Sequence, residues 1–217
     1  MKKSYKCVLW DWNGTLLDDL MPSLYAVNRI LTDRGMQPIT LSQYHSYIDT
    51  PIVRFYEHLF DLGSTDFSVI AYEFKRNYKH FMESGGLFGN TVPVLSRLRS
   101  LGVKQYIVSA ERQETITGYL DKYGIAVYFS GVCGACTDFA ESKTERGKRF
   151  FAGIGESPSD CLFVGDTLHD YEVAGAIGTD CAIIARGHQS LRELEPVADI
   201  CLSDISDILG FFTDNNN

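Results

Sequence analysis

Residues 6–16 read KCVLWDWNGTL, a short apolar run that ends at Asp11 and continues into a glycine turn. Four to six apolar residues bounded by turn residues are typical of a strand buried on both faces, as in a parallel sheet. In open α/β sheets, ligands bind at the carboxyl ends of such strands. We therefore predict that Asp11 lies at the ligand-binding edge of a sheet, although Asp in an Asp-x-Asn-Gly sequence is also a common turn residue.

The composition indicates a globular protein that acts on a small molecule. The chain has 217 residues, 45% of them hydrophobic, and carries a net charge of -8. A negative balance argues against a nucleic acid or an anionic membrane as partner, because both select clustered Lys and Arg. The N-terminal apolar run is too short for a signal peptide and no stretch is long enough to span a membrane, so we expect a cytoplasmic protein.

Six cysteines are spread along the chain, most of them singly within apolar runs. A reduced cysteine in such a run behaves as a small hydrophobic residue, and we expect no disulfides. Cys133 and Cys136 have the spacing of a redox pair or of half a zinc site. No second ligand pair is visible in the sequence, so we interpret them as incidental thiols and leave their role open.

A helical block follows the first strand. Apolar residues at helical spacing predict four helices: one after Asp18 or Asp19 as cap, one from Thr40, one from Pro51 and one capped by Ser64 or Asp66. From Gly86 onward, strands alternate with helices. The predicted strands after Gly86 are 103–108, 127–129, 161–164, 181–185 and 200–202.

Strands separated by helices predict a parallel sheet with right-handed crossovers. The predicted fold class is therefore α/β: a Rossmann-like parallel sheet core in three α/β/α layers, with an inserted four-helix cap domain. We place the core domain at residues 1–17 and 86–217 and the helical cap domain at residues 18–85.

Three predicted strands end in polar residues: Asp11, Ser109, and Asp166 with Asp170 one turn further on. In a parallel sheet these ends lie along one edge, and clustered carboxylates there have raised pKa values unless a cation neutralises them. Oxygen ligands that need neutralisation indicate Mg²⁺. Lys143 and Ser109, with the backbone N–H of Ala110, would hold a phosphate, and a carboxylate nucleophile attacking phosphorus suits this arrangement.

Four stretches carry a resemblance to a known family: residues 11–16 (DWNGTL), Ser109 after an apolar strand, Lys143 at the start of a helix, and residues 165–170 (GDTLHD). In order and spacing they resemble the motifs of the haloacid dehalogenase-like hydrolases. The helical block between the first two motifs is similar to the cap of phosphoglycolate phosphatases. The resemblance covers nearly the whole chain.

This resemblance implies a nucleophile and a metal site. Asp11 would become an aspartyl phosphate. The side chains of Asp11 and Asp166 and the backbone carbonyl of Asn13 would bind Mg²⁺, and Asp170 would orient a metal-bound water or contribute to the metal site.

The resemblance also implies the residues that stabilise the phosphoryl group, namely Thr15, Ser109 and Lys143, of which Lys143 would also pair with Asp11. Lys148 competes for the lysine role, and we choose Lys143 because it begins a helix. Ser109 alone could equally be a helix cap.

Asn13 departs from the family pattern, because the family's phosphatases usually carry a second Asp at this position as acid and base. An amide cannot transfer a proton, and loss of an acid–base group typically costs about 10²–10⁴-fold in rate. The protein is then a slow phosphatase, uses a substitute such as His45 from the cap, or accumulates the phosphoenzyme.

Other functions remain open at the level of sequence. A C–halogen hydrolase needs no metal. The pair of Asp166 and Asp170, which we interpret as metal ligands, therefore argues against this function. A C–P bond hydrolase of the same superfamily needs a cap lysine for a Schiff base, and Lys75 and Lys79 are the candidates. A degenerate phosphate-binding regulatory protein is favoured only by Asn13.

The cap should supply substrate specificity. Arg54 is the candidate to pair with a substrate carboxylate in the bidentate manner of arginine, although a surface charge explains it as well. The polar cap residues we consider with it are His45, Tyr47 and Arg76. We expect a small phosphorylated metabolite as partner, and monomer and homodimer remain open.

Overall fold

The computed structural model describes residues 4–136 and 142–212. Within these two ranges, eight strands are formed. They are β1 (Cys7–Trp10), β2 (Leu17–Asp18), β3 (Gly86–Leu87), β4 (Lys104–Arg112), β5 (Gly131–Ala135), β6 (Cys161–Gly165), β7 (Asp180–Ile184) and β8 (Cys201–Leu202). Six of them form a parallel sheet in the order β5-β4-β1-β6-β7-β8, and β2 and β3 form a separate antiparallel ribbon.

Strand β1 lies in the middle of the sheet, between β4 and β6. Leu9 is in register with Tyr106 on one side and with Phe163 on the other. All four residues of β1 are buried, which explains why the sequence there is a continuous apolar run instead of an alternating one.

Nine α-helices are assigned in the described residues. They are α1 (Leu20–Asp33), α2 (Leu41–Tyr47), α3 (Val53–Glu57), α4 (Phe67–Phe81), α5 (Thr91–Ser100), α6 (Gln113–Tyr123), α7 (Lys143–Ile154), α8 (Leu168–Ile177) and α9 (Leu191–Leu194). Short 3₁₀ helices cover Ala126–Tyr128, Pro158–Asp160 and Ile205–Phe211.

Helices cover both faces of the six-stranded sheet. Trp10 packs in a cluster with residues of α5 and α6, whereas Leu9 packs in a second cluster with residues of α7 and α8. Successive strand residues point to opposite faces, so each strand contributes to both clusters. The predicted three-layer α/β/α fold with an inserted helical block is confirmed.

Helices α1 to α4 have an apolar core of their own. Residues of α1, α2, α3 and α4 form a third cluster that includes Leu24, Phe55 and Ile70. The ribbon of β2 and β3, in which Asp18 is the partner of Gly86, carries the chain into and out of this block. The separate core supports the division into a core domain (1–17 and 86–217) and a cap domain (18–85), which we retain as a proposal.

Two predictions in the middle of the chain were wrong: the position of β5 and the end of β4. The strand expected at residues 127–129 is a 3₁₀ helix at Ala126–Tyr128, and the strand itself follows at Gly131–Ala135. The sequence did not indicate β5, because a strand that contains two glycines has a weak apolar pattern. Cys133 therefore lies in a strand and not in a loop, while Cys136 is exposed.

Strand β4 also extends further than expected. Instead of ending at Val108 it runs to Arg112, with an irregular register against β5 between those two residues. Ser109 and Ala110 thus lie inside the assigned strand, at its bulge, and not in a loop after it. Bulges of this kind are frequent next to active sites, where they redirect side chains.

Among the described residues, none of the helices combines the length and the apolar character that crossing a membrane requires.

Helix α7 approaches the sheet closely at Gly147. A Cβ at this position would lie 3.2 Å from Cγ1 of Val108, whereas a Cβ at Gly153 of the same helix meets no atom within 4 Å. We expect Gly147→Val to lower the free energy of unfolding by about 1–3 kcal/mol through overpacking. Gly153→Val should change it by no more than a few tenths of a kcal/mol, because Val and Gly differ little in helix propensity. Urea unfolding of both variants tests this, and equal effects would contradict a close contact at Gly147.

Candidate active site

A buried group of charged side chains occupies the carboxyl edge of the sheet. Asp11 follows β1, Asp166 follows the neighbouring strand β6, and Asp170 lies in the first turn of α8. Lys143, the first residue of α7, places its ammonium Nζ 2.5 Å from Oδ1 of Asp11 and also on Oδ1 of Asp170. All four side chains are buried. The structure thus brings together four of the site residues predicted from the sequence.

Local backbone chemistry fixes each of these residues. The N–H of Asp11 donates to the carbonyl of Val164 at 2.8 Å and so extends the ladder between β1 and β6. Asp170 completes a capping box at the start of α8, where its Oδ2 accepts from the N–H and the hydroxyl of Thr167 at 3.0 and 2.7 Å. Ser142 is the N-cap residue of α7, where its hydroxyl accepts from the N–H of Glu145 at 3.2 Å, and Lys143 is the residue that follows this cap.

The carboxylate of Asp166 is enclosed by two glycine turns. Gly14 has a φ of +68°, a conformation that favours glycine, and a Cβ on Gly14 or on Gly187 would overlap the Asp166 carboxylate. Asp166 accepts a hydrogen bond from the Thr15 hydroxyl at 3.1 Å and one from the backbone N–H of His188 at 2.6 Å. Two distant segments of the chain therefore hold this side chain.

The donor set fits a hard divalent cation. Carboxylate oxygens of Asp11, Asp166 and Asp170 all lie within 4.8 Å of one another. Oxygen ligands from one to three carboxylates are what Mg²⁺ prefers in proteins.

The electrostatics of the cluster also favour a cation. Burial raises the pKa of Asp11 to about 6, with Lys143 acting in the opposite direction. Burial raises the pKa of Asp166 to about 8, and repulsion from Asp170 and Asp11 adds to it. Asp166 thus has the most strongly raised pKa of the three carboxyls, and without a cation its neutral form is favoured. A bound divalent cation would relieve this repulsion and allow Asp166 to ionise.

The pKa values of Lys143 and Asp170 are shifted in the directions that keep both side chains charged. Burial disfavours the ammonium of Lys143, but the adjacent carboxylates of Asp11 and Asp170 outweigh it and raise its pKa. Burial likewise disfavours the carboxylate of Asp170, but Lys143 and the hydrogen bonds from Thr167 outweigh it and lower its pKa. Lys148, the competing candidate, pairs at the surface with Glu145.

The predicted phosphate-binding residues lie at the same edge of the sheet. Ser109 is buried in β4 next to β1, and its hydroxyl accepts from the N–H of Glu111 at 3.3 Å. Ala110 is exposed at the bulge. The Ser109 carbonyl accepts from Nη2 of Arg146 at 2.6 Å. Sequence reasoning missed Arg146, although its position one turn after Lys143 on α7 was a usable signal.

Asn13 belongs to a hydrogen-bond network that the sequence did not predict. Its amide Nδ2 donates to Oδ2 of Asp19 at 2.8 Å and to the hydroxyl of Tyr78 at 3.2 Å. Asp19 occupies the N-cap position of α1, yet its side chain makes no cap hydrogen bond there. It accepts instead from the N–H of Gly14 at 2.7 Å and from the Tyr78 hydroxyl at 2.9 Å. Asp19 thus occupies the expected N-cap position, but its side chain binds the turn at Gly14 instead of the end of the helix.

His188 is the second residue that sequence reasoning missed. Its Nε2 lies 3.1 Å from Oδ1 of Asp19, and its Nδ1 lies 2.9 Å from the hydroxyl of Tyr44 in α2. Burial disfavours the charged imidazole, but Asp19 and then Asp166 outweigh it and raise the pKa of His188 to about 9. His45, the substitute acid–base candidate, lies against the backbone of Gly187, and burial lowers its pKa.

Arg54 is not brought to this cluster. Its guanidinium lies 3.4 Å from Asp49 and its side chain is 57% exposed, so the structure gives no support to direct contact with the carboxylate site. Tyr47 stacks on His58, with ring centroids 4.5 Å apart. Nothing in these contacts assigns the substrate specificity of the cap.

This chain is similar to known proteins in both sequence and fold. A family model described as haloacid dehalogenase-like hydrolase matches residues 5–178. Phosphoglycolate phosphatase of Aquifex aeolicus is 26% identical over 215 residues, which cover 94% of this chain and 95% of that one. Tyrosine-protein kinase PtkA of Mycobacterium tuberculosis is 26% identical over 188 residues, which cover 86% of this chain but only 64% of the kinase.

The fold recurs in solved structures. A haloacid dehalogenase-like family hydrolase from Streptococcus pneumoniae superposes with a TM-score of 0.83, covering 96% of this chain and 99% of that one. Its sequence is 18% identical, so this likeness is one of fold.

We expect the stability of the metal-free protein to fall as the pH rises towards 8. A carboxyl whose pKa is raised in the folded state, as in Asp166, binds its proton more tightly there than in the unfolded chain. Its contribution is therefore fully present below about pH 4 and is lost as the pH rises through about 8. Thermal unfolding of the wild type and Asp166→Asn in EDTA, between pH 5.5 and 8.5, measures the slope of the melting temperature against pH.

The slope should be smaller in Asp166→Asn, and Mg²⁺ should raise the wild-type melting temperature more at pH 8.5 than at pH 5.5. Equal slopes in the two proteins would contradict the raised pKa of Asp166.

Proposed function

The chain belongs to the haloacid dehalogenase-like hydrolases, and on that premise we propose that it is a Mg²⁺-dependent phosphatase acting on a small phosphorylated metabolite. The observation that carries the proposal is the contact of Lys143 with both Asp11 and Asp170, beside the third carboxylate of Asp166. The proposed nucleophile (Asp11), a positive charge (Lys143) and the proposed metal ligands therefore lie together in one buried group. The prediction that the chain is an enzyme of this hydrolase family is confirmed.

The proposed metal ligands are the side chains of Asp11 and Asp166 and the backbone carbonyl of Asn13, with Asp170 as a further ligand or as the residue that orients a water. A bound Mg²⁺ would neutralise the carboxylates and the phosphoryl oxygens, so that an anionic nucleophile can approach an anionic substrate.

In the first step, a carboxylate oxygen of Asp11 attacks the phosphorus of the substrate. A bond forms between that oxygen and phosphorus, the ester P–O bond breaks, and the leaving oxygen takes up a proton to become an alcohol. In the second step, a water oxygen bonds to the phosphorus, the bond between phosphorus and the Asp11 oxygen breaks, and inorganic phosphate leaves as Asp11 returns to a carboxylate. One proton of the water stays on the phosphate, and the other balances the proton that the leaving alcohol took up. Lys143 holds Asp11 in place, while Thr15, Ser109 and the N–H of Ala110 are the proposed contacts of the phosphoryl oxygens.

Proton transfer is the step for which this chain is least equipped. The side chain of Asn13 has no ionisable group, and its amide donates hydrogen bonds to Asp19 and Tyr78. We therefore propose a slow phosphatase, with turnover about 10²–10⁴-fold below an enzyme that has a positioned acid–base group.

The substrate class is proposed from the named relatives. The relative from Aquifex aeolicus is named for phosphoglycolate, a small phosphorylated acid, and we propose a phosphoglycolate-like compound or a sugar phosphate. We also retain the expectations of a cytoplasmic protein without nucleic-acid or membrane partners, either monomeric or homodimeric.

The alternative of C–P bond cleavage has less support. It needs a cap lysine at the reacting centre, and the candidates Lys75 and Lys79 are exposed on α4, whereas the carboxylates of the cluster are buried. A binding protein without activity has no need of the buried cluster of Asp11, Asp166 and Asp170.

The first prediction from this proposal concerns the two lysines of α7. Lys143→Met should lower Mg²⁺-dependent phosphate release by about 10²-fold or more, because it removes the positive charge beside Asp11. Lys148→Met, five residues along the same helix and at the surface, should leave the rate unchanged. Phosphate release from p-nitrophenyl phosphate and a panel of phosphorylated metabolites, with Mg²⁺ or EDTA, measures both.

Asp11→Asn should abolish turnover in the same assay, and circular dichroism of each variant establishes that it has folded. Turnover that persists in Asp11→Asn or in EDTA would rule out the proposed function.

The second prediction concerns the pair of Asn13 and Asp19. Asn13→Asp alone places a carboxylate 2.8 Å from that of Asp19, so the two repel and the gain in rate should be small. Asn13→Asp combined with Asp19→Asn restores one amide and one carboxylate with their positions exchanged. We expect the double variant to turn over about 10²-fold faster than the wild type.

Steady-state kinetics of the wild type, both single variants and the double variant form the complete cycle for this pair. A double variant that is no faster than Asn13→Asp alone would contradict the prediction.

A further inference from the structure

We propose that two tyrosines of the helical block, Tyr78 and Tyr44, are positioning residues that hold the two turns enclosing the Asp166 carboxylate. This inference rests on the proposed function, because it assigns Tyr78 and Tyr44 a task in the same reaction. Tyr78 connects to the turn at Gly14 through Asp19, and Tyr44 connects to the turn at Gly187 through His188.

The first connection begins in α4. The hydroxyl of Tyr78 donates to Oδ2 of Asp19 at 2.9 Å, and the other oxygen of Asp19 accepts from the N–H of Gly14 at 2.7 Å. Gly14 is the residue whose lack of a side chain makes room for Asp166. A displacement of α4 therefore changes the support of the turn on one side of Asp166.

The second connection begins in α2. The hydroxyl of Tyr44 lies 2.9 Å from Nδ1 of His188, and the backbone N–H of His188 donates to Asp166 at 2.6 Å. Gly187, immediately before it, makes room for Asp166 on this second side. The two tyrosines thus connect, from two different helices, to the two turns that contact the Asp166 carboxylate.

The two connections meet at Asp19. Its Oδ1 also lies 3.1 Å from Nε2 of His188, and Oδ2 also accepts from the amide of Asn13 at 2.8 Å. The carboxylate is 2% exposed and is surrounded by hydrogen-bond donors from both the helical block and the sheet edge. In a buried network of this kind, loss of one partner can cost more than loss of an isolated hydrogen bond.

The test compares Tyr78→Phe and Tyr44→Phe with Tyr72→Phe, a matched control on α4 whose side chain is 69% exposed. Each substitution removes one hydroxyl and keeps the ring. The first measurement is amide hydrogen exchange of the metal-free protein without substrate. We expect exchange about 3- to 10-fold faster in residues 12–17 for Tyr78→Phe and in residues 186–190 for Tyr44→Phe, the factor that corresponds to one lost hydrogen bond. Tyr72→Phe should match the wild type.

The second measurement is the phosphatase assay. Both active-site variants should lower kcat by about 3- to 10-fold with KM nearly unchanged, because the tyrosines position reacting groups and do not bind the leaving group. A role confined to folding would lower the melting temperature and leave kcat of the folded enzyme at the wild-type value.

Faster exchange limited to α2 and α4, with wild-type rates in residues 12–17 and 186–190, would overturn the proposal, as would unchanged kcat in both variants. If the wild type shows no phosphatase turnover, the proposed function fails, and the exchange rates still decide whether these tyrosines hold the two turns.

Discussion

A single buried ammonium between two carboxylates is the interaction on which this site depends. Three carboxylates are taken out of water at the edge of the sheet, which is costly unless opposite charge is near. Lys143 compensates two of them directly, and it can do so because α7 begins at that residue with its cap already formed by Ser142. The third, Asp166, relies on hydrogen bonds from neighbouring turns. Lys143 therefore offsets the burial of Asp170, whereas at Asp166 burial outweighs the favourable charge of His188 and the pKa stays raised.

The parts of the site that the sequence predicted are those set by strand ends. Asp11 and Asp166 were expected at one edge of the sheet because each ends an apolar run and the carboxyl ends of parallel strands share an edge. The structure adds that these two strands are neighbours. Asp170 and Lys143 followed from helix starts, which have local signals. The boundary errors at β4 and β5 arose where a bulge and small residues weaken the apolar pattern.

The parts that the sequence could not predict are contacts between distant segments. His188 meets Asp19 across 169 positions of sequence, and Tyr78 meets Asp19 across 59. Neither His188 nor Tyr78 stands out locally: one follows a strand in a polar loop, and the other occupies an ordinary position on an amphipathic helix. Only the packing of the helical block against the sheet edge brings them together. Asn13 gains its physical explanation in the same way, since its amide supplies a donor that the buried carboxylate of Asp19 uses.

The ribbon of β2 and β3 has a consequence for how proteins of this architecture diversify. Asp18 and Gly86 are partners in it, so the chain leaves the sheet domain and returns to it at one place. The segment between these two residues is therefore an insertion into the sheet domain whose two ends lie side by side. Such a segment can be lengthened, shortened or exchanged while the strand order of the core stays the same. Changes in the helical block are therefore confined to one stretch of coding sequence, whereas Asp11, Lys143, Asp166 and Asp170 all lie outside it.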